Sequence, residues 1–358
     1  MSAALEFRGV DVIYPRATGR EGAEALRRAL AALTAGAETA QVAADCGVTV
    51  AVRDASLSVA PGEICVVMGL SGSGKSTLLR TANGLTRATR GQVLLGGPEG
   101  QIDIARCDAA ALSAARRRRI SMVFQQAALL PWRSVEENVG LGLELRGESR
   151  AERARVVAEK LELVGLADWA KRRIDELSGG MQQRVGLARA FATEADILLM
   201  DEPFSALDPL IRGRLQNELL SLQERVRKTI LFVSHDLDEA LRIGDRIAIM
   251  DHGRIVQTGT PQDIVLRPAD PRVAEFVQHM NPLTALTAGM VMRPIDPAAA
   301  RDDTLPVTAA DTDLQSLIRL RESSGRPVLI EEDGRVVGVC DTAEILKALS
   351  SGAEPRSP

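Results

Sequence analysis

The run Gly69-Leu70-Ser71-Gly72-Ser73-Gly74-Lys75-Ser76-Thr77 constrains this chain more than any other stretch. It fits G-x-x-x-x-G-K-[ST] from Gly69 to Ser76. Ile64-Cys65-Val66-Val67-Met68 just before it reads as a buried parallel strand. Leu78 to Ala82 just after it continues a helix that Asn83-Gly84 stops. Strand, glycine-rich turn and helix start together make a cradle for a polyphosphate. Glycines let backbone N–H groups close in at positive φ, and the helix N-terminus favours the anion. Lys75 can reach the outer phosphates, and Ser76 can offer its hydroxyl to Mg²⁺. The expectation is an α/β fold that binds Mg-ATP or a similar nucleotide.

The 358 residues suit two domains, or one large domain with an appendage, and 45% hydrophobic content allows a sizeable core. No run approaches the roughly 18–20 apolar residues of a membrane span. The start, Met1 to Glu6, lacks the basic and apolar regions of a signal peptide, so a cytosolic chain is expected. A net charge of −4 argues against a nucleic-acid binder held by global charge. The 4 cysteines are scattered without a C-x-x-C pair, which fits reduced thiols rather than disulfides or zinc.

Leu5 to Tyr14 alternates as a half-buried strand ended by Pro15. Tyr14 serves either as strand-end packing or as a platform for a base. Between about 19 and 47, Ala25, Leu26, Ala29, Leu30 and Leu33 recur at helical spacing, and Thr39 to Cys46 forms a second short helix stopped by Gly47. This helical hairpin is either a packing decoration or a docking element. Further strands are read over Val48 to Val59, Gly91 to Leu95 and Ile120 to Phe124. Helices are read over Ala109 to Arg119, from Glu136 onward, and over Glu148 to Val164. The run Arg116 to Arg119 reads as a solvated helix end favoured by the dipole. Leu177-Ser178-Gly179-Gly180-Met181-Gln182-Gln183-Arg184 opens a helix to about Ala192 whose first N–H groups are unobstructed. The apolar strand Ile197 to Met200 ends in Asp201-Glu202. Beside a phosphate loop, Asp201 can hold Mg²⁺ through its water shell and Glu202 can polarise a water for attack on the γ-phosphate. His235 ends the strand Thr229 to Ser234, on the sheet edge where ligands of parallel sheets bind.

In this order the motifs resemble the ATP-binding-cassette (ABC) ATPases, over about Leu5 to Val277: the loop 69–77, Gln125 after a strand, the Leu177 to Gln183 signature, Asp201-Glu202, Ser205-Ala206-Leu207-Asp208, and His235. The resemblance implies a P-loop cassette with a mixed sheet core and a helical subdomain at about 126–192, and a second copy of the chain paired head to tail. Each ATP would lie between Gly69–Thr77 of one subunit and Ser178, Gly179, Gly180 and Gln182 of the other. Glu202, His235 and Gln125 would be catalytic. Ser76, Gln125 and Asp201 would face Mg²⁺, Asp208 would communicate across the dimer, and Tyr14 would stack on adenine. The insert after Tyr14, Met68 to Thr77 and Ala206 to Arg212 look like the ATPases of glycine betaine/proline and choline importers. Phe124 to Arg133 and Phe191 to Ala195 resemble the choline branch.

The tail is expected to hold a linker at 278–303, punctuated by Pro282, Pro294 and Pro297, and a single module at 304–352. Its order of helix Leu314 to Leu320, strand Arg326 to Ile330, turn Glu332 to Arg335, strand Val336 to Cys340 and helix from Thr342 resembles one cystathionine-β-synthase-type (CBS) module. Such a tail would sense a ligand or ionic strength, or only dimerise. The whole is expected to be an ATPase at the cytoplasmic face of a bacterial inner membrane. It would energise import of choline or glycine betaine through separate permease subunits fed by an extracytoplasmic solute-binding protein. An importer for an amino acid or polyamine is the alternative. A non-transport ABC ATPase acting on nucleic acid or ribosomes lacks its usual marks here, a long coiled coil or a second cassette.

Overall fold

A computed structural model describes residues 3–97, 100–205, 207–278, 283, 286–295, 304–332 and 334–350. Their contacts divide the chain into two compact units, 1–235 with 248–256, and 236–247 with 257–358. Ala206, Pro282 and Pro297, named above, lie outside the described residues, as do position 333 of the expected turn and most of the expected linker.

The first unit opens with β1 (Leu5–Pro15), the helical pair α1 (Gly19–Thr34) and α2 (Thr39–Cys46), and β2 (Val48–Val59). Then come β3 (Ile64–Met68), α3 (Lys75–Thr81), β4 (Arg90–Leu95), β5 (Ile102–Asp103), α4 (Ala109–Arg118) and β6 (Ile120–Val123). The helices α5 (Val135–Val139), α6 (Leu141–Arg146), α7 (Arg150–Leu163) and α8 (Gly179–Ala192) precede β7 (Ile197–Asp201), α9 (Pro209–Val226) and β8 (Thr229–Val233). After α10 (Leu237–Ile243), β9 (Arg246–Asp251) and β10 (Arg254–Gly259) cross the division between the units.

Two sheets result. β2-β1-β4-β5 is antiparallel, and the larger is ordered β10-β9-β3-β8-β7-β6 with β3, β8, β7 and β6 parallel. β3, β7 and β8 are buried along their whole length, as strands of a covered parallel sheet must be. One core joins the sheets through Phe7, Leu57, Val67, Leu78, Leu199 and Leu231.

β1 departs from simple alternation. Val10, Asp11, Val12 and Ile13 are buried in succession, because register shifts along β1 rotate the strand between two cores. Val10 and Val12 face the main core, whereas Ile13 joins a separate one with Ala25, Ala29, Leu33, Val42 and Val48. The hairpin between β1 and β2 thus carries its own small core. Asp11 is fully buried and ion-paired to Arg90 at 2.6 Å.

In the second unit, α11 (Pro261–Leu266) and α12 (Pro271–Gln278) precede a small sheet ordered β11 (Arg293–Pro294), β14 (Arg335–Cys340), β13 (Val328–Glu332), β12 (Val307–Ala309). Helices over Leu314–Ser324 and Thr342–Ser350 accompany it. Leu314, Leu317, Val328, Ile330 and Cys340 are buried there.

Candidate ATP-hydrolysing site

Parallel registry sets the geometry. Val67 pairs with Val233, Val233 with Asp201, and Met200 with Val123, so β3, β8, β7 and β6 end on one edge. Gly69, His235, Glu202 and Gln125 follow within two residues of those ends. That edge is where open parallel sheets bind ligands.

The phosphate loop needs its glycines here. Gly69 (φ +146°) and Gly74 (φ +100°) hold conformations closed to other residues, and a Cβ would collide with the Met250 carbonyl oxygen at Gly69 and with the Ala51 carbonyl oxygen at Gly74. Leu70, Ser71 and Gly72 are exposed, and Ser76 and Thr77 half-buried. Lys75 is 5% exposed, and its Nζ donates to the carbonyl oxygens of Gly69 (2.8 Å) and Leu70 (2.9 Å). Burial pushes the Lys75 ammonium below its ordinary pKa, while the charges of Glu202 and Asp201 oppose that shift. The buried Ser73 Oγ is left without a hydrogen-bond partner, a hydroxyl aimed into a loop built to receive polar atoms. Tyr14, the last residue but one of β1, lies opposite Thr49, two residues along β2 from Ala51, and is 45% exposed.

Asp201 is fully buried. It accepts from Ser76 Oγ at 2.6 Å and pairs with Arg80 at 3.1 Å. One carboxylate with one hydroxyl is a donor set that Mg²⁺ uses while keeping waters and taking phosphate oxygens. Among the described residues no group of three or more His, Cys, Asp or Glu could hold a metal unaided. The pair therefore fits Mg²⁺ arriving with a nucleotide.

Glu202 adopts φ +47°, rare for a residue with a side chain. Its N–H donates to Val233 O (3.0 Å), and its carbonyl accepts from Ser205 Oγ (3.0 Å). Its Oε2 accepts from Gln125 Nε2 at 3.2 Å and lies 3.2 Å from His235 Nδ1. Gln125 and His235, both exposed, thus converge on one carboxylate oxygen. That arrangement can hold and polarise a water.

The signature begins α8. Ser178 caps the helix by accepting from Met181 N, and Ser178 and Gly179 are exposed. Gln182 differs from its neighbours, because its Nε2 turns back to donate to Ile174 O (3.1 Å) and Leu177 O (3.2 Å). Asp208 is exposed and caps α9 through Ile211 N. Sequence reasoning missed Arg80. The signal for it was the four-residue spacing from Ser76, which puts both on one face of α3. It also missed Gln183, which the structure buries against Phe124 O, and the half-buried Arg189, which bonds the carbonyl oxygens of Ala127 and Ala128.

These features define an ATP-binding-cassette ATPase, and the chain belongs to the ABC transporter ATP-binding family. The sequence model of the family described as ABC transporter matches residues 52–205. The chain is 44% identical over 321 residues to the glycine betaine/carnitine transport ATP-binding protein GbuA of Listeria monocytogenes, covering 89% of this chain and 78% of GbuA. It is 51% identical over 255 residues to the glycine betaine/proline betaine transport system ATP-binding protein ProV of Escherichia coli, covering 71% of this chain and 63% of ProV. Among solved structures, the ATP-binding cassette MJ0796, dimeric in a post-hydrolysis state bound to ADP and Pi, matches with a TM-score of 0.60 at 30% identity. That match covers 72% of this chain and 98% of MJ0796. The chain is thus an ATP-hydrolysing subunit of a transporter.

Proposed function

We propose that this chain energises import of a quaternary ammonium solute, a betaine or choline, from the cytoplasmic face of a bacterial plasma membrane. Separate permease subunits would carry the solute, and an extracytoplasmic binding protein would deliver it. The observation that carries the solute class is the match with GbuA: at 321 residues it is longer than a cassette ending near residue 277. The likeness therefore extends beyond the part that all cassettes share. No helix among the described residues is long and apolar enough to cross a membrane, consistent with a peripheral subunit. The tail is read as one CBS-like module.

In this reading Gly69–Thr77 holds the ATP phosphates, Lys75 leaves its carbonyl partners for the outer phosphates, and Tyr14 stacks on adenine. Ser76, Gln125 and Asp201 face Mg²⁺, which when bound neutralises charge on the phosphates. Glu202 takes the proton of a water positioned by Gln125 and His235. The water oxygen bonds to the γ-phosphorus as the bond to the β-phosphate oxygen breaks, releasing ADP and phosphate. Ser178, Gly179, Gly180 and Gln182 complete the site of a second copy, and Asp208 lies at that contact.

The test is reconstitution of the chain with its permease in vesicles and measurement of ATP-driven uptake. Glycine betaine and choline are offered separately, beside proline and putrescine. Uptake of a quaternary amine with matching ATPase stimulation supports the reading. Uptake of putrescine or proline alone overturns it.

A further inference from the structure

The buried face of α8 grips the backbone on both sides of Gln125. Gln183, 3% exposed, donates from its one amide nitrogen to Phe124 O (3.1 Å) and to Pro203 O (3.0 Å). Phe124 immediately precedes Gln125, and Pro203 immediately follows Glu202. Farther along the same helix, the Arg189 guanidinium donates to Ala127 O and Ala128 O, each at 2.8 Å. Ala128 holds φ +46°, so this turn is an uncommon conformation that something must hold. Between them a Cβ on Gly186 would already touch Ala127 at 3.5 Å. Residues 183, 186 and 189 lie on one helix face by their spacing. Burial lowers the Arg189 pKa, and the two carbonyl oxygens give the guanidinium acceptors there.

The sheet alone cannot set the distance between Gln125 and Glu202. The ladder between β6 and β7 stops at Val123 and Met200, before either side chain. Beyond the ladder the two chains are bridged by the Gln183 amide, one hydrogen to each. We infer that Gln183 is a positioning residue for hydrolysis: with Arg189 it fixes the Gln125–Glu202 pair to the helix that begins at Ser178-Gly179-Gly180. This rests on the reading that those three residues close on the nucleotide of a second copy. α8 then links that contact at its N-terminus to the hydrolytic pair of its own chain along its buried face.

The test uses the full-length chain with Gln183→Met, which keeps volume and removes both donors. Initial rates give kcat and KM, a fluorescent nucleotide gives ATP affinity, and size exclusion in a Glu202→Gln background reads ATP-driven dimerisation. The expected result is a fall in kcat of about tenfold or more, with KM and affinity within about threefold and dimerisation intact, as for loss of a purely transition-state interaction. A kcat within about twofold of wild type overturns the inference, and so does a loss of kcat matched by equal loss of affinity or of dimerisation, since either is what plain structural damage produces. Arg189→Lys keeps the charge but loses the planar fork that sends one guanidinium nitrogen to each carbonyl. It carries the same split between kcat and affinity if Gln183→Met does not fold. Ser178→Arg in the Glu202→Gln background separates the underlying reading. A dimer that still forms there removes the trans contact of α8 and leaves the kcat result to judge Gln183 alone.

Discussion

Glu202 bears the backbone strain of the site, since a side chain in the left-handed region costs about 1–2 kcal/mol. Such a conformation persists where neighbours over-determine it. Here Val233 O, Ser205 Oγ and Gln125 all bond to one residue. Glu202→Gln keeps shape and backbone while removing the carboxylate proposed as the base. Phosphate release should fall about 10²–10⁴-fold, the range for a lost general base, and a dimer with unhydrolysed ATP should accumulate on size exclusion. Release at the wild-type rate would end the assignment. His235→Ala should also lose most activity. Cys340 allows a pH prediction: burial, with Glu344 and Asp341 nearby, pushes its thiol from 9.0 to about 11. The neutral thiol is the form the fold favours, so this contribution is whole below the unfolded value and is lost as pH rises through the folded one. Urea unfolding between pH 9 and pH 11 should show a decline in stability that Cys340→Ala flattens. The phosphate loop was legible in sequence because its chemistry is written in consecutive residues. Arg80 and Asp11 were not, because each charge is explained by a distant partner, Asp201 for the one and Arg90 for the other.

At the scale of elements, the loop between β6 and α5 is held by a residue no motif flags. Asn138 is fully buried, accepts from Leu130 N at 2.8 Å, and donates to the carbonyl oxygens of Leu130, Arg133 and Ser134. It therefore ties the start of α5, where Ser134 and Glu137 already form a capping box, to the loop carrying Trp132. Asn138→Ala strands the part-buried Leu130 N and Arg133 O, at about 1–3 kcal/mol each before water or rearrangement offsets part of it, whereas Leu130 O and Ser134 O keep backbone donors. A net loss of about 2–3 kcal/mol by denaturant unfolding is expected. A change below about 0.5 kcal/mol, typical of a surface site, would show that the loop holds itself. Local pattern served well where an element buries one stripe, as in α1 with Ala25, Ala29 and Leu33 inward. It misjudged β1, where period-2 alternation gives way to four successive buried residues because bulges turn the strand between two cores. Bulges leave no mark in hydrophobic period, since they are set by pairing with β2 and β4.

At the scale of the molecule, the phosphate loop and the exposed start of α8 are separate surfaces of one chain, and only resemblance assigned them to a shared site between two copies. Periodicity and spacing describe what one chain does to itself, so a composite site is invisible to them. Head-to-tail pairing nonetheless makes a prediction that a self-contained site cannot meet. Lys75→Ala removes the ammonium that the loop surrounds, and Ser178→Arg fills the space above the first N–H groups of α8. Either variant alone should be inactive, since both sites of its symmetric dimer carry the defect. In a mixed dimer one site collects both defects, while the other joins an intact loop to an intact helix start. Random pairing at equal concentrations should therefore restore about a quarter of the wild-type sites, read as ATP hydrolysis that appears on mixing and varies with the ratio of the two chains. If loop and helix start instead served the same nucleotide within one chain, every chain in the mixture would stay defective and mixing would restore nothing.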